Sequence, residues 1–134
     1  MIALDTNILI YACDKSDATR QQVAVDLIAG AVDGVLLWQV ACEFVAASRK
    51  LGTQGFTASH AWSRLSEFVG VLRLALPTAG ILEGARALHV THGVSFWDAT
   101  ILAACVEAGV DVLYSEDVPG LDTMGALRVV NPFK

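Results

Sequence analysis

Five short apolar runs, at residues 2–5, 35–37, 71–74, 112–114 and 127–130, punctuate this chain, and between them apolar residues recur at helical spacing. Short runs with apolar residues on both faces suit strands buried on both sides. Alternation of such strands with helices is the pattern of a parallel sheet with helical crossovers. The fold class read from this is α/β: a three-layer sandwich with a central parallel sheet flanked by helices. At 134 residues the chain makes one domain, residues 1–134, with no repeats, low-complexity tracts or linkers.

The helices are placed by stripes and caps. A short one is expected over 7–13. A second covers 18–30, with Ser16 or Asp17 as cap, Val23, Leu27 and Ile28 inward, and Gly30 as stop. A third covers 40–51, with Val40, Phe44, Ala47 and Leu51 inward and Gly52 as stop. Thr57 caps a fourth over 58–70, whose stripe is Trp62, Leu65 and Val69. The fifth, 79–91, uses Ile81, Leu82, Ala85 and Leu88. The sixth, 95–108, starts at Ser95 and stops at Gly109.

Composition narrows the function classes. The chain is 54% hydrophobic and only 17% charged, which leaves apolar surface over for a partner. Its net charge is −5, from 14 acids against 9 bases. Phosphate neutralisation by basic residues alone is therefore a poor basis for holding nucleic acid; a bound cation would have to supply positive charge. Cys13, Cys42 and Cys105 are odd in number, widely spaced and set in apolar stretches, the usage of buried free thiols in a reducing compartment. No signal peptide and no apolar stretch of the ~18–20 residues needed to span a bilayer is present. The expectation is a soluble, cytoplasmic protein with no membrane association.

Most acids (Asp14, Asp17, Asp26, Asp33, Glu67, Glu83, Glu107, Asp111 and Asp122) fall in loops, at caps or on polar helix faces. Four others do not. Asp5 ends the first strand, and Asp117 follows the strand at 112–114. Ligand sites of parallel sheets gather beyond the carboxyl ends of strands. Glu43 and Asp98 lie on helices, at or beside the stripes that face the sheet. Each has an ordinary structural explanation: Asp5 as a turn cap, Asp98 as an acid favoured by the helix dipole, Asp117 in an Asx turn, Glu43 paired with Arg49 or Arg86. Together those explanations require four coincidences. An apolar-facing carboxylate needs a compensating cation, and no Lys or Arg adjoins these four in sequence. An all-oxygen donor set favours magnesium, or manganese, over zinc. His89 and His92 lack a third zinc ligand, and His60 stands alone as a surface or rim residue.

With Asp5-Thr6-Asn7 after a strand, a helical Glu43, Ser95-Phe96-Trp97-Asp98-Ala99 and Tyr114-Ser115-Glu116-Asp117, the chain resembles the PIN domain. Its ending, Leu127-Arg128-Val129-Val130-Asn131-Pro132-Phe133, is similar to that of VapC-like toxins, the ribonuclease half of toxin–antitoxin pairs. The resemblance spans essentially the whole chain. It implies that Asp5, Glu43, Asp98 and Asp117 are the catalytic, metal-binding acids, with Thr6, Asn7 and Ser115 supporting them. Glu116 is an extra acid that could share ligation with Asp117. Where the family often has a polar residue such as Asn before its helical Glu, this chain has Cys42, a departure that bears on a supporting contact and not on Glu43 as a ligand.

The implied activity is magnesium-dependent hydrolysis of RNA phosphodiesters, leaving 5′-phosphate and 3′-hydroxyl ends. Arg49, Lys50, Arg64, Arg73 and Arg86 are candidate guides for RNA. The implied partners are an RNA substrate, a VapB-like antitoxin and a second copy of the chain in a homodimer. Three alternatives compete. A PIN nuclease of RNA maturation would share every residue. A haloacid-dehalogenase-like phosphatase needs an acid where Asn7 stands, and Lys50 is its sole candidate mid-chain lysine. A non-catalytic binding module has no reason to keep all four acids.

Overall fold

The sheet order decides where the acids meet. In the computed structural model, which describes residues 1–121 and 124–134, five parallel strands lie in the order β3-β2-β1-β4-β5. These are β1 (Ile2–Leu4), β2 (Gly34–Leu37), β3 (Arg73–Ala75), β4 (Val112–Tyr114) and β5 (Arg128–Val130). The helices are α1 (Thr6–Cys13), α2 (Ala18–Ala29), α3 (Trp38–Ala47), α4 (Ala58–Val71), α5 (Ala79–His92) and α6 (Phe96–Ala108), with a 3-10 segment over Ser48–Gln54. This is the α/β sandwich expected from the sequence. Asp122, read as an ordinary loop acid, lies outside the described residues.

The chain runs outward from β1 to β2 and β3, then crosses back to place β4 on the other side of β1. Right-handed crossovers put the outward pair of connections, α1–α2 and α3–α4, on one face and the return connection, α5–α6, on the other. The packing agrees: α1 meets α2 and α3, α3 meets α4, and α5 packs along α6. A doubly wound sheet opens a crevice where the winding changes direction, at the carboxyl ends of the two strands that flank that point. Here those strands are β1 and β4, paired from Ile2–Val112 to Leu4–Tyr114.

The core is continuous from the sheet into the helices. Leu4, Ile8, Leu36, Phe44, Leu72, Leu102 and Leu113 are fully buried. All of β2 is buried, and so is α6 from Ala99 to Cys105, on every side. The Phe44 and Phe68 rings meet edge to face, with centroids 5.3 Å apart, and hold α3 against α4.

Several local expectations are corrected. The inward stripe of α4 is Ala61, Leu65 and Phe68, continued by Leu72; Trp62 and Val69 are exposed. Both sets have helical spacing, and only packing against β2 and β3 selects the phase. Leu82 of α5 is exposed as well. The helix expected over 40–51 starts earlier, at Trp38, and tightens into the 3-10 segment at Ser48. Its stop is Gly55, at φ 77°, and not Gly52; a left-handed residue is what closes the last turn. Val71 belongs to α4 and not to the third strand. Cys42 is exposed rather than buried, on the outward side of α3 with Trp38. His60 caps its own helix: Thr57 Oγ1 accepts from the His60 amide, and His60 Nδ1 accepts from the Thr57 amide.

Candidate metal centre

Asp5 stands at the hinge between strand and helix. Its amide donates to Tyr114 O at 2.9 Å, extending the β1–β4 pairing by one residue. It then serves as N-cap of α1, with Oδ1 accepting from the Thr6 amide at 2.7 Å. Its other oxygen, Oδ2, accepts from Ser115 Oγ at 2.7 Å, across the junction from the end of β4. Ser115 is 1% exposed, and its hydroxyl is used completely. It donates to Asp5 and accepts the amides of Asp117, at 3.2 Å, and Val118, at 3.0 Å. One hydroxyl thus orients the first acid and turns the loop that carries the last.

Asp5, Glu43, Asp98 and Asp117 line one hollow of about 240 Å³, with Thr6, Asn7, Lys50 and Trp97 in its wall. They come from the end of β1, from the middle of α3, from the first turn of α6 and from the loop after β4. The polar residues next to them divide the work. Thr6 Oγ1 donates to Glu43 Oε2 at 2.9 Å, Asn7 Nδ2 to Asp117 Oδ2 at 3.2 Å, and Ser115 Oγ to Asp5. Of the five basic residues that were candidate guides, Lys50 lines this hollow. Arg64 is paired with Glu67 on α4 at 2.7 Å. A larger hollow of about 410 Å³ beside β3 holds one carboxylate, Glu107, which accepts from the Thr78 hydroxyl. It offers no convergent set of acids.

Two supports were missed in the sequence. Gln39 Nε2 donates to Glu43 Oε1 at 2.7 Å, so both oxygens of Glu43 are engaged. Gln39 Oε1 in turn accepts from Thr100 Oγ1 at 2.5 Å, which ties α3 to α6. The signal for Gln39 was its position one helical turn before Glu43.

The electrostatics favour a cation. Asp5 is 6% exposed, and its pKa is raised. Desolvation by burial is the main cause, and repulsion from Glu43 and Asp98 adds to it against the hydrogen bonds from Ser115 and Thr6. Below Asp5, burial pushes the Cys105 thiol up to about 12, with the charge of Asp5 adding. The amide oxygen of Asn7 is buried without a hydrogen-bond partner, an acceptor to spare at the wall of the hollow. As the side chains stand, no three His, Cys, Asp or Glu among the described residues are drawn together closely enough to hold an ion. The donor chemistry nevertheless fits a hard divalent cation: four carboxylates around one crevice, with no thiolate or imidazole among them.

A sequence model of the PIN domain matches residues 2–118. The chain belongs to the PIN-domain family. The comparison with curated proteins finds no match. Among solved structures this PIN domain is similar to Mycobacterium tuberculosis VapC20, described as a sarcin-ricin loop cleaving toxin. The identity is 24%, the TM-score 0.70, and 94% of each chain is covered. It is similar to a toxin–antitoxin complex from Klebsiella pneumoniae, at 20% identity and TM-score 0.69 over 98% of both chains. A third likeness is to Rickettsia felis VapBC2 bound to a fragment of its promoter DNA. There the identity is 16% and the TM-score 0.67, over 98% of this chain and 100% of that one. These likenesses establish the fold. Among the described residues, no helix of this PIN domain is long and apolar enough to cross a membrane.

Proposed function

We propose that this PIN domain is a magnesium-dependent endoribonuclease, and the toxin of a VapBC-like toxin–antitoxin pair. The observation that carries the reading is the convergence of Asp5, Glu43, Asp98 and Asp117, from four separate elements, on the crevice beside β1 and β4. Magnesium, or manganese in its place, would be held by these four carboxylates. A bound divalent ion supplies Lewis acidity toward a phosphate and lowers the pKa of a water that attacks it. The protein's own part is orientation. Thr6 and Gln39 fix both oxygens of Glu43, Ser115 fixes Asp5, and Asn7 steadies Asp117. Lys50 at the wall offers a charge to a phosphate oxygen. A net charge of −5 is then no obstacle to an RNA substrate, because the cation cancels charge where the phosphate sits.

Family and surface together support the same choice of partners. Trp38, Phe96 and Trp97 are exposed, which suits a chain that pairs with a second copy and with a VapB-like antitoxin. The fold neighbours described as toxin–antitoxin assemblies support the second partner. A cytoplasmic location is part of the same reading. Asp98→Asn keeps the size of the side chain and removes its charge. It is expected to abolish RNA cleavage and growth inhibition while the protein melts cooperatively. Undiminished cleavage by the folded variant, or by the wild type in excess EDTA, would overturn the metal mechanism. Failure to capture the product of a neighbouring small gene, with cleavage intact, would leave a PIN nuclease of RNA maturation instead.

A further inference from the structure

Glu116 is the acid beside Asp117, yet its side chain is used elsewhere. Tyr11 Oη donates to its Oε2 at 2.6 Å, and a terminal nitrogen of Arg20 lies 3.3 Å from its Oε1. Glu116 takes no part in lining the acid hollow. Arg20 is itself held on several sides. It bonds Asp17 Oδ2 at 3.2 Å, and its guanidinium lies 5.5 Å from the ring centroids of both Tyr11 and Phe133. Those two rings meet edge to face at 5.0 Å. The cluster therefore joins the last turn of α1 and the start of α2, neighbours in sequence, to two distant stretches, the loop after β4 and the C-terminal tail.

We infer that Glu116 is a positioning residue, which Tyr11, Arg20 and Phe133 clamp so that the loop presents Asp117 to the metal pocket, and that it is not itself a ligand. The inference rests on the metal-dependent reading above. Asp117 is exposed, and its own ties are few and long: Asn7 Nδ2 at 3.2 Å on the carboxylate, and Ser115 Oγ at 3.2 Å on the amide. Between these ties the adjoining Glu116 provides the anchor to the helical layer. A ligand role would require Glu116 to give up a charge-assisted bond to arginine and a short bond from a phenol. The phenol is a dependable donor: the Tyr11 pKa is pushed up to about 12, first by the bond to Glu116 and then by burial.

Calorimetric titration of the metal-free protein with Mn2+ tests this. Tyr11→Phe and Glu116→Ala are each expected to weaken Mn2+ binding about tenfold, the scale of lost outer contacts at metal sites. Glu116→Gln keeps an acceptor for Tyr11 and is expected to restore most of the affinity. In an Asp117→Asn background, Glu116→Ala is expected to add no further loss, because it acts through Asp117. Full additivity in that background would make Glu116 a ligand and overturn the inference. So would unchanged affinity in Tyr11→Phe, which decides the matter even if Glu116→Ala does not fold. A wild-type protein that binds no Mn2+ would overturn the metal-dependent reading, and this inference with it.

Discussion

Ser115→Ala is the perturbation that bears most directly on how the pocket is built. The Ser115 hydroxyl is buried, donates to Asp5 Oδ2 at 2.7 Å and accepts two backbone amides. A hydrogen bond to an ionised group contributes about 1.5–3 kcal/mol, and each buried donor left without a partner costs about 1–3 kcal/mol. The Val118 amide is buried and loses its acceptor fully, whereas the part-buried Asp117 amide can turn to water. The expected loss is about 4 kcal/mol, which at this chain length lowers Tm by roughly 14 °C.

The loss also has a sign in pH. The Ser115 bond holds the Asp5 pKa down against desolvation, so its removal raises that pKa further. Because the folded pKa is already above the ordinary carboxylate value of about 3.9, folded protein without metal holds the Asp5 proton more tightly than the unfolded chain. The contribution of Asp5 to the stability of the metal-free protein is full below that ordinary value. It is lost as pH rises through the raised folded pKa. The difference between wild type and Ser115→Ala should therefore shrink in acid, where Asp5 is neutral in both. Urea titrations across pH, with carbon-13 NMR of the Asp5 carboxyl, measure both effects. A variant within about 1 kcal/mol of wild type at neutral pH, or an Asp5 midpoint that falls, would refute the reasoning.

Other expectations are narrower. Gln39→Leu removes one of two donors to Glu43; it should cost about 1–2 kcal/mol in urea unfolding and weaken Mn2+ binding about tenfold by calorimetry. Gly55→Ala places a side chain at φ 77°, while Gly52 has open space around it and no such backbone. The first should destabilise by about 1 kcal/mol and Gly52→Ala should not, as paired melting curves will show. Thiol labelling of the native protein should modify exposed Cys42 quickly and leave buried Cys105 untouched until unfolding, given its pKa of about 12.

The sequence alone determined the class of fold and singled out the four acids that line one hollow. Strand runs such as 2–5 and 112–114 are apolar on both faces because both faces are covered, and that is a one-dimensional signal. Asp5 was visible because a carboxylate at the end of such a run needs a reason. Gly109, at φ 75°, closes α6 where a Gly after an apolar stretch predicts it. What the sequence could not decide was phase and partnership. The stripes of Trp62 and of Phe68 have the same period, and only the sheet beneath α4 chooses between them. Ser115, Thr6 and Asn7 were legible as supports, but which acid each one holds depends on the crossing of β1, α1 and α3. The clamp on Glu116 was invisible for the same reason, whereas Gln39 stands one turn before Glu43 on the same helix and its spacing carries a signal. The bonds of the clamp join the loop after β4 to α1 and α2, which only the doubly wound topology brings together, and a hydrogen bond of 2.6 Å between Tyr11 and Glu116 leaves no trace in spacing along the chain.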